Sequence, residues 1–352
     1  MGKCLVTKLN GVVDNSSLLK IGEMRIHISR VDSPTEETQS LCFQAAAQCK
    51  LTIIGDGYFT DSTLSENKGN TIILDNTGRK DVYVSNGDFD ISIENKYVLK
   101  DICFAKFSTA VPSPAVNKSI SIDDIKHSTE LMKLRISATN TTGDCSSLKN
   151  LSKLNEFKAT KSLIHGDLSV LKDKTTLGFI QLSFCNVSGD LIYFQNLTNL
   201  TALQLNNTSV KGNLSSLSAL TKLTYISVTS VEGDVSSLNN LNALTVLQSD
   251  KSSITGDISK LPPLIKLLSV NNYLGSGFIW TSRDPTSSII AIIGSPKISN
   301  IDQMLIDEAK CTAQSGSGIY RMIMATGTRT SASDAAVQTL QSKGYTVSIT
   351  PA

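Results

Sequence analysis

The middle third of the sequence repeats itself at a step of about 23 residues. Six glycines mark this step, with spacings of 23, 23, 23, 21 and 23 residues, and Asp or Asn follows each one. They are Gly143, Gly166, Gly189, Gly212, Gly233 and Gly256. Leucines keep the same step at Leu131, Leu154, Leu177, Leu200, Leu223, Leu244 and Leu264. A regular step of this size indicates stacked structural units, so it excludes most other folds for this segment.

One repeat, residues 200–220, combines two periodicities. Its first two apolar positions, Leu203 and Leu205, alternate with polar residues and predict a short strand with one buried face. Three later leucines are spaced by three, which is typical of a 3-10 turn. Gly212 separates the two parts. Ser215 is the predicted cap of the turn, and Ser146, Ser169, Ser236 and Ser259 take the same place in other repeats.

This pattern resembles the leucine-rich repeat family, and more narrowly its plant-type variant, which is also found in Bacteroidetes. The resemblance covers residues 131–274. It departs from the family at Ala159, Ser249 and Ser269, which replace strand leucines, and in an irregular Asn after the strand (Asn207 fits, Ser230 does not). The resemblance implies an α/β solenoid with a parallel sheet, in which each repeat is buried by its neighbours.

The flanks predict two further regions. Residues 1–125 form an expected β-rich anchoring or oligomerisation domain, because apolar alternation in 23–28, 82–84 and 89–93 is separated by turn residues. One helix is expected there, capped at Ser33 and running through Leu41 to Ala47. Residues 126–275 hold about seven repeats. Residues 276–352 predict a small α/β cap with helices near 301–311 and 331–343 and strands near 320–325 and 345–349.

The charge, the apolar segments and the cysteine spacing exclude several kinds of function. The net charge is +2, and no basic patch with interleaved aromatics occurs, so nucleic-acid binding is not expected. The first ten residues lack a secretory signal, and the most apolar run, Ile289 to Ile293, is too short to cross a membrane. The seven cysteines include no C-x-x-C pair, so buried thiols are expected rather than disulfides or zinc.

No catalytic motif stands out. The three histidines are scattered, and neither a nucleophile elbow nor a zinc-protease or phosphate-binding motif is present. The chain is therefore interpreted as a non-enzyme without cofactor or metal. The column of acids that follows the glycines leaves two readings open: calcium ligands, or turn residues that bond to their own backbone. Asn213 in the column and a single acid per repeat favour the second.

The outward positions of the predicted strands form the best candidate binding surface. Polar and aromatic side chains alternate with the buried leucines, and repeat proteins bind partners on such extended surfaces. A plain solvated sheet is the alternative. The expected outward positions run on to Lys266 and Leu268, and the candidate binding residues are Arg135, Lys158, Phe179, Gln181, Gln204, Tyr225 and Gln248.

Both ends of the chain carry a second resemblance. Residues 1–26, MGKCLVTKLNGVVDNSSLLKIGEMRI, resemble the opening of virion proteins of crAss-like bacteriophages of gut Bacteroidales. Residues 328–351, TRTSASDAAVQTLQSKGYTVSITP, resemble the ends of repeat proteins from that group. This resemblance implies a head fibre, capsid decoration or tail-associated protein, assembled in the host cytoplasm. Its partners would be other virion proteins, bound through the N-terminal domain, and a host surface protein or glycan. A homo-oligomer is expected. The alternative is a non-virion bacterial repeat protein that binds other proteins.

Overall fold

The computed structural model describes residues 23–28, 38–61, 64–76, 78, 80–85, 89–104, 118–271, 275–288, 290–313 and 320–352. The chain divides into two compact units. The first comprises Met1–Leu154 and Ser162–Ile164, and the second comprises Asn155–Lys161 and His165–Ala352. The boundary lies inside the repeats, so the three-part division at residues 125 and 275 stays a prediction.

The first unit is dominated by antiparallel strands. They are β1 Met24–Ile28, β2 Thr38–Ala45, β3 Cys49–Ile54, β4 Phe59–Asp61, β5 Leu64–Gly69, β6 Thr71–Leu74, β7 Lys80–Ser85, β8 Phe89–Ile93, β9 Leu99–Cys103, β10 Lys118–Ser119, β11 Lys133–Arg135 and β12 Thr142–Asp144. One sheet has the order β10-β1-β8-β3-β6, and a second run pairs β11-β9-β2-β7-β4-β5. The β-rich character expected of the N-terminal region is confirmed.

Buried apolar residues alternate with more exposed residues in β1, as the sequence predicts. Met24, Ile26 and Ile28 are fully buried, while His27 between them is exposed. Ile26 lies opposite Ile91 of β8 in the antiparallel register. A period of two therefore places one apolar face in the core.

The helix expected over Leu41 to Ala47 is wrong, because most of this segment is strand β2. Leu41, Cys42 and Phe43 are all buried, so both faces of the strand are covered. A short apolar run that is buried on both faces cannot be distinguished from a helix by periodicity alone. The proposed cap at Ser33 lies outside the described residues.

The repeats and the C-terminal region supply the remaining elements. The strands are β13 Glu156–Lys158, β14 Leu163–Asp167, β15 Phe179–Gln181, β16 Asn186–Asp190, β17 Ala202–Gln204, β18 Ser209–Lys211, β19 Tyr225–Thr229, β20 Glu232–Asp234, β21 Val246–Asp250, β22 Ser253–Asp257, β23 Leu267–Asn271, β24 Phe278–Ile279, β25 Ala291–Ile293, β26 Met322–Thr326 and β27 Thr346–Thr350. The helices are α1 Ile301–Lys310 and α2 Asp334–Ser342.

In the second unit one parallel sheet collects a strand from every repeat, in the order β13-β15-β17-β19-β21-β23-β25-β26-β27. Its central inward column is completely buried and consists of Phe157, Ile180, Leu203, Ile226, Leu247, Leu268, Ile292 and Ile323. Each repeat then passes through a 3-10 turn whose apolar residues, such as Leu214 and Leu217, are also fully buried. The core therefore lies between the sheet and the turns.

The caps of the 3-10 turns differ from the expectation. The side chain of Asn213 accepts from the backbone N–H of Ser215 at 2.9 Å, so Ser215 supplies the donor and is not the cap. Asp residues do the same in the other repeats at 2.7 to 3.0 Å. An Asx side chain that bonds to the residue two positions later is the usual way to close such a turn.

In two repeats the residue that follows the left-handed position after the strand donates a hydrogen bond to the backbone. Asn207 has a left-handed backbone with φ of 55°, and the next residue, Thr208, donates its hydroxyl to the Leu205 carbonyl at 2.7 Å. Cys185, one repeat earlier, donates to the Ala159 carbonyl at 2.9 Å. In both repeats the side chain at this position bonds to a backbone carbonyl.

Candidate functional site

The strand face is the solvent side of the parallel sheet in the second unit. Two columns alternate with the buried positions, and the strand register sets their order. Column one is Glu156, Phe179, Ala202, Tyr225, Val246 and Leu267. Column two is Lys158, Gln181, Gln204, Ser227, Gln248 and Ser269. The structure thus brings together six of the seven candidate binding residues on one surface.

The charges on the strand face neutralise each other. Lys158 Nζ lies 2.6 Å from Glu156 Oε1 and 4.1 Å from the centroid of the Phe179 ring. Both charged side chains are largely buried, at 26% and 15% exposure. The cation is therefore held by a carboxylate and an aromatic face, and the remaining positions of the two columns carry no charge.

Two glutamine side chains sit next to each other on β15 and β17 without hydrogen-bond partners in the described part of the chain. Gln181 and Gln204 are direct register partners, and both are half-buried. Each primary amide offers two N–H donors and one carbonyl acceptor. Adjacent parallel strands lie about 4.8 Å apart, so these amides form a short row that can bond to a polar partner.

Tyr225 is held in place at the other end of this row. Its hydroxyl donates to Gln248 Oε1 at 2.6 Å. Burial raises the pKa of the Tyr225 phenol, and Tyr320 nearby adds to the effect. The phenol therefore stays neutral at physiological pH and serves as a donor, and the bond orients the Gln248 amide so that its NH₂ group remains available.

A small residue separates the two aromatic residues of column one. Phe179, Ala202 and Tyr225 occupy consecutive positions in the register, and Ala202 is only 4% exposed. Since two strand spacings separate the aromatic residues, their Cα atoms are about 10 Å apart. Ala202 has the smallest side chain of column one, and neighbouring atoms cover almost all of it.

The seventh candidate, Arg135, is buried in the first unit. It lies on β11 in the first unit and is only 7% exposed. Its Nη1 lies 3.4 Å from Asp101 Oδ2, and Asp101 is also buried. The expectation that Arg135 faces solvent is wrong, because a buried carboxylate 34 positions earlier in the sequence holds the guanidinium.

The last repeat is shifted by one residue relative to the expected outward positions. Leu268, expected to face outward, is fully buried and pairs with Leu247. Leu267 and Ser269 take the register positions of the two columns but are only 3% and 7% exposed. Ile265 is fully buried and Leu264 is 51% exposed, so the leucine step ends on Ile265. Sequence reasoning missed Leu267 because Leu264 matches the leucine pattern equally well.

The acidic column closes turns. Asp257, the last member, accepts from the backbone N–H and the hydroxyl of Ser259 at 3.0 and 2.6 Å. Burial alone would raise its pKa, but bonds from Ser259 and Thr281 together lower it. In the described ranges no cluster of three or more His, Cys, Asp or Glu is placed to hold a metal ion. The turn reading of these residues is thus the one that the geometry supports.

A buried polar cluster in the C-terminal region was not predicted. The Glu308 side chain is completely buried, and its Oε1 lies 3.6 Å from Arg283 Nε. Asp307 accepts from the indole N–H of Trp280 at 3.0 Å. These partners lie 25 and 27 positions apart in the sequence, and no local motif marks them. Trp280 is fully buried.

A surface groove of about 720 Å³ lies at the small sheet of β22 and β24. Its lining includes Gly256, Gly277, Lys297 and Asn300 together with Asp234. The groove therefore mixes a cation, an anion and small residues.

The comparisons with known proteins concern the fold. No protein-family model matches the sequence, and no curated protein does. The crystal structure of PEPR1-AtPEP1 is similar at 14% identity with a TM-score of 0.53, covering 72% of this chain and 35% of that chain. A crystal structure of a TDR receptor gives 19% identity, a TM-score of 0.50 and coverages of 65% and 40%. An internalin, inlF from Listeria monocytogenes, has 19% sequence identity and a TM-score of 0.42, and the match covers 72% of this chain and 82% of that chain.

The chain thus spans well under half the length of the first two proteins. Within the described residues, neither helix is long and apolar enough to cross a membrane. The similar structures are leucine-rich repeat proteins, including plant receptor ectodomains and internalins. The expected fold class is confirmed: the chain has the leucine-rich repeat fold, with a mostly parallel sheet and few helices.

Proposed function

We propose that this chain is a binding module that holds a protein partner on its strand face. The observation that carries the proposal is the row of Gln181 and Gln204, whose amides have no hydrogen-bond partner in the described residues. Polar side chains without partners bond to a peptide backbone without first losing an internal hydrogen bond. The leucine-rich repeat fold supports a binding module over an enzyme.

The charge of the surface supports a partner segment without strong net charge. Lys158 is already neutralised by Glu156, so an acidic segment gains little there. The partly exposed rings of Phe179 and Tyr225 suit contact with one apolar or aromatic side chain of the partner, since aromatic residues are frequent anchors in protein interfaces. The expected ligand is therefore an extended, neutral segment with one apolar anchor.

A displayed library of random peptides of about 15 residues tests the proposal. The full chain is expected to enrich neutral sequences with a shared apolar position, and binding should fall at least about tenfold in the Gln181→Ala/Gln204→Ala variant. Ala202→Leu, which adds bulk between Phe179 and Tyr225 and displaces their rings, should also abolish binding. The matched control is Ser188→Ala/Ser209→Ala, which changes two exposed residues of the same repeats on β16 and β18.

If the glutamine double variant and the serine double variant bind the enriched peptides equally well, the binding site lies elsewhere on the chain. Failure to enrich any sequence would overturn the proposal of a peptide-binding face. Circular dichroism of each variant checks that its secondary structure is intact.

We propose in addition that the protein acts at the surface of a virion, with the N-terminal region attached to the particle. This rests on the resemblance of residues 1–26 to phage virion proteins and of residues 328–351 to repeat proteins of the same phage group, and residues 1–22 lie outside the described part. Co-sedimentation of the protein with purified particles is expected. Presence in infected-cell lysate but never in particles would favour the alternative, a bacterial repeat protein with the same binding face.

A further inference from the structure

The last strand of the parallel sheet leaves one edge open. β27 pairs with β26 in parallel register, from Met322 opposite Thr346 to Thr326 opposite Thr350. It is the terminal strand in the sheet order, so among the described residues no strand pairs with its other side. The C-terminal region was expected to cover the exposed edge of the solenoid, but β27 is itself an edge strand.

Backbone hydrogen bonds show which residues point to the open side. Thr346 N–H donates to the Arg321 carbonyl at 2.8 Å, and Gly327 N–H donates to the Thr350 carbonyl at 2.9 Å. In a parallel pair, alternate residues of a strand bond to the same neighbour. Thr346, Ser348 and Thr350 therefore face β26, and Val347 and Ile349 direct their N–H and C=O groups to the open edge.

The edge lacks the usual protection against pairing. Natural edges carry Lys, Pro, bulges or inward charges that discourage association. The strand reads Thr346-Val-Ser-Ile-Thr350, so it has no charged residue and no proline, and four of its five residues are β-branched. Such residues favour extended, paired strands.

We propose that β27 pairs antiparallel with β27 of a second copy of this chain, about a two-fold axis at Ser348. In this register Val347 of one copy lies opposite Ile349 of the other, and each such pair exchanges two backbone hydrogen bonds. The symmetry repeats the pair, so all four open N–H and C=O groups per copy are satisfied.

The side chains are compatible with this register. Ser348 lies opposite its symmetry mate at the closest approach, and Thr346 lies opposite Thr350, so no like charges meet. Antiparallel pairing uses the same strand twice and closes into a dimer, whereas heterologous head-to-tail addition risks open growth. This surface is distinct from the strand face and does not depend on its proposed function.

A pairing limited to one strand and its flanking groups buries less than a standard interface of about 1,600 Å². We therefore expect a weak dimer with a dissociation constant on the order of 10 µM. Sedimentation velocity of the full chain, over roughly two decades of concentration around that value, should show the mass rising from one chain to two.

Two charge variants make the test specific. Ser348→Lys and Ser348→Glu each place like charges at the two-fold axis on an exposed side chain, and each should remain monomeric. A mixture of the two should recover the dimer, because the opposite charges then face each other. Thr221→Lys, which adds the same charge at an exposed turn position far along the chain, is the control and should dimerise like the wild type.

Val347→Pro provides a second variant that removes only an edge-facing N–H, a change that edge strands tolerate. It should also abolish dimerisation, with an unchanged unfolding midpoint. A wild-type chain that stays monomeric throughout, or a dimer that Ser348→Lys leaves intact, would overturn the proposal. Loss of the dimer in both charge variants without recovery on mixing would overturn the two-fold register.

Discussion

Gly212 lies directly against the Asp190 side chain of the preceding repeat: a Cβ atom on Gly212 would come within 2.6 Å of Asp190 Oδ1. The φ angle of Gly212 is also +118°, which side chains rarely adopt. Gly233 has the same relationship to Asn213. Gly256 lies in the same way against Asp234, so in these three repeats the glycine makes room for the capping side chain of the previous turn.

Gly212→Ala should lower the free energy of unfolding by about 1 to 3 kcal/mol, because it combines a disfavoured φ with a close contact. Urea unfolding followed by the fluorescence of Trp280, the single tryptophan, measures the change. Gly178→Ala is the matched control, since Gly178 has no left-handed backbone and its nearest contact would be an ordinary 3.5 Å. Equal losses in the two variants would contradict this explanation.

The capping role predicts different outcomes for two substitutions of Asp190. Its Oδ1 accepts from Ile192 N–H at 2.8 Å, and Asn213 fills the equivalent place in the next repeat. Asp190→Asn should therefore be nearly neutral, and Asp190→Ala should cost about 1 kcal/mol. Both are read from urea unfolding, and calcium should not change either midpoint. If calcium shifts the urea unfolding midpoint of the wild type, these acidic residues would be calcium ligands rather than turn residues alone.

Glu308 predicts that stability depends on pH. Burial raises the pKa of Glu308 from 4.5 to about 8, although Arg283 partly opposes the shift. Between these values the folded chain holds a proton that the unfolded chain has released. The free energy of unfolding should therefore fall, by roughly a few kcal/mol, as pH rises from about 4.5 to about 8.

Thermal unfolding of the wild type and of Glu308→Gln across this pH range tests the assignment. The variant keeps a neutral side chain, so its stability should change much less with pH. A wild type whose stability rises with pH through the same window, or equal slopes in the two proteins, would show that another group dominates.

Cys311 should be chemically inert in the folded state. Burial, aided by the nearby Glu308 charge, raises the pKa of its thiol to about 11, and its side chain is 1% exposed. The thiolate fraction near pH 8 is then on the order of a thousandth. Mass spectrometry after iodoacetamide treatment should find Cys311 unmodified in native protein and modified in denaturing urea. Rapid native alkylation would mean that this region opens readily.

Sequence periodicity was enough to place most elements of the repeats. The glycine step located the turns, and the leucine step located the buried strand positions, because each repeat buries its apolar side chains against the next in the same way. β26, β27 and both helices also lie within a few residues of their expected positions. Two predictions were wrong. Strand β2 was predicted as a helix, because burial of both its faces removes the alternation of apolar and polar residues. In the last repeat the buried position was assigned to Leu264, although Ile265 occupies it.

The candidate site was predicted less completely than the fold. The outward residues of β13 to β21 follow from alternation, since a strand turns successive side chains to opposite faces. Alternation does not show which outward side chains already have partners. Lys158 is occupied by Glu156, and Gln204 remains available. Whether an outward side chain has a partner depends on its rotamer and on the residues that the neighbouring strands place beside it.

By itself the sequence determined that this protein is a stack of repeats with a parallel sheet and a polar outer face, because the spacing of glycines and leucines acts locally and is the same in every repeat. Only the tertiary structure showed that Arg135 forms a buried ion pair with Asp101 and that Arg283 lies next to Glu308. It also showed that β27 is the edge strand of the sheet. These relationships join residues far apart in the chain or depend on what lies beside a strand. No local pattern carries that information, since burial and pairing arise only when the whole chain is packed.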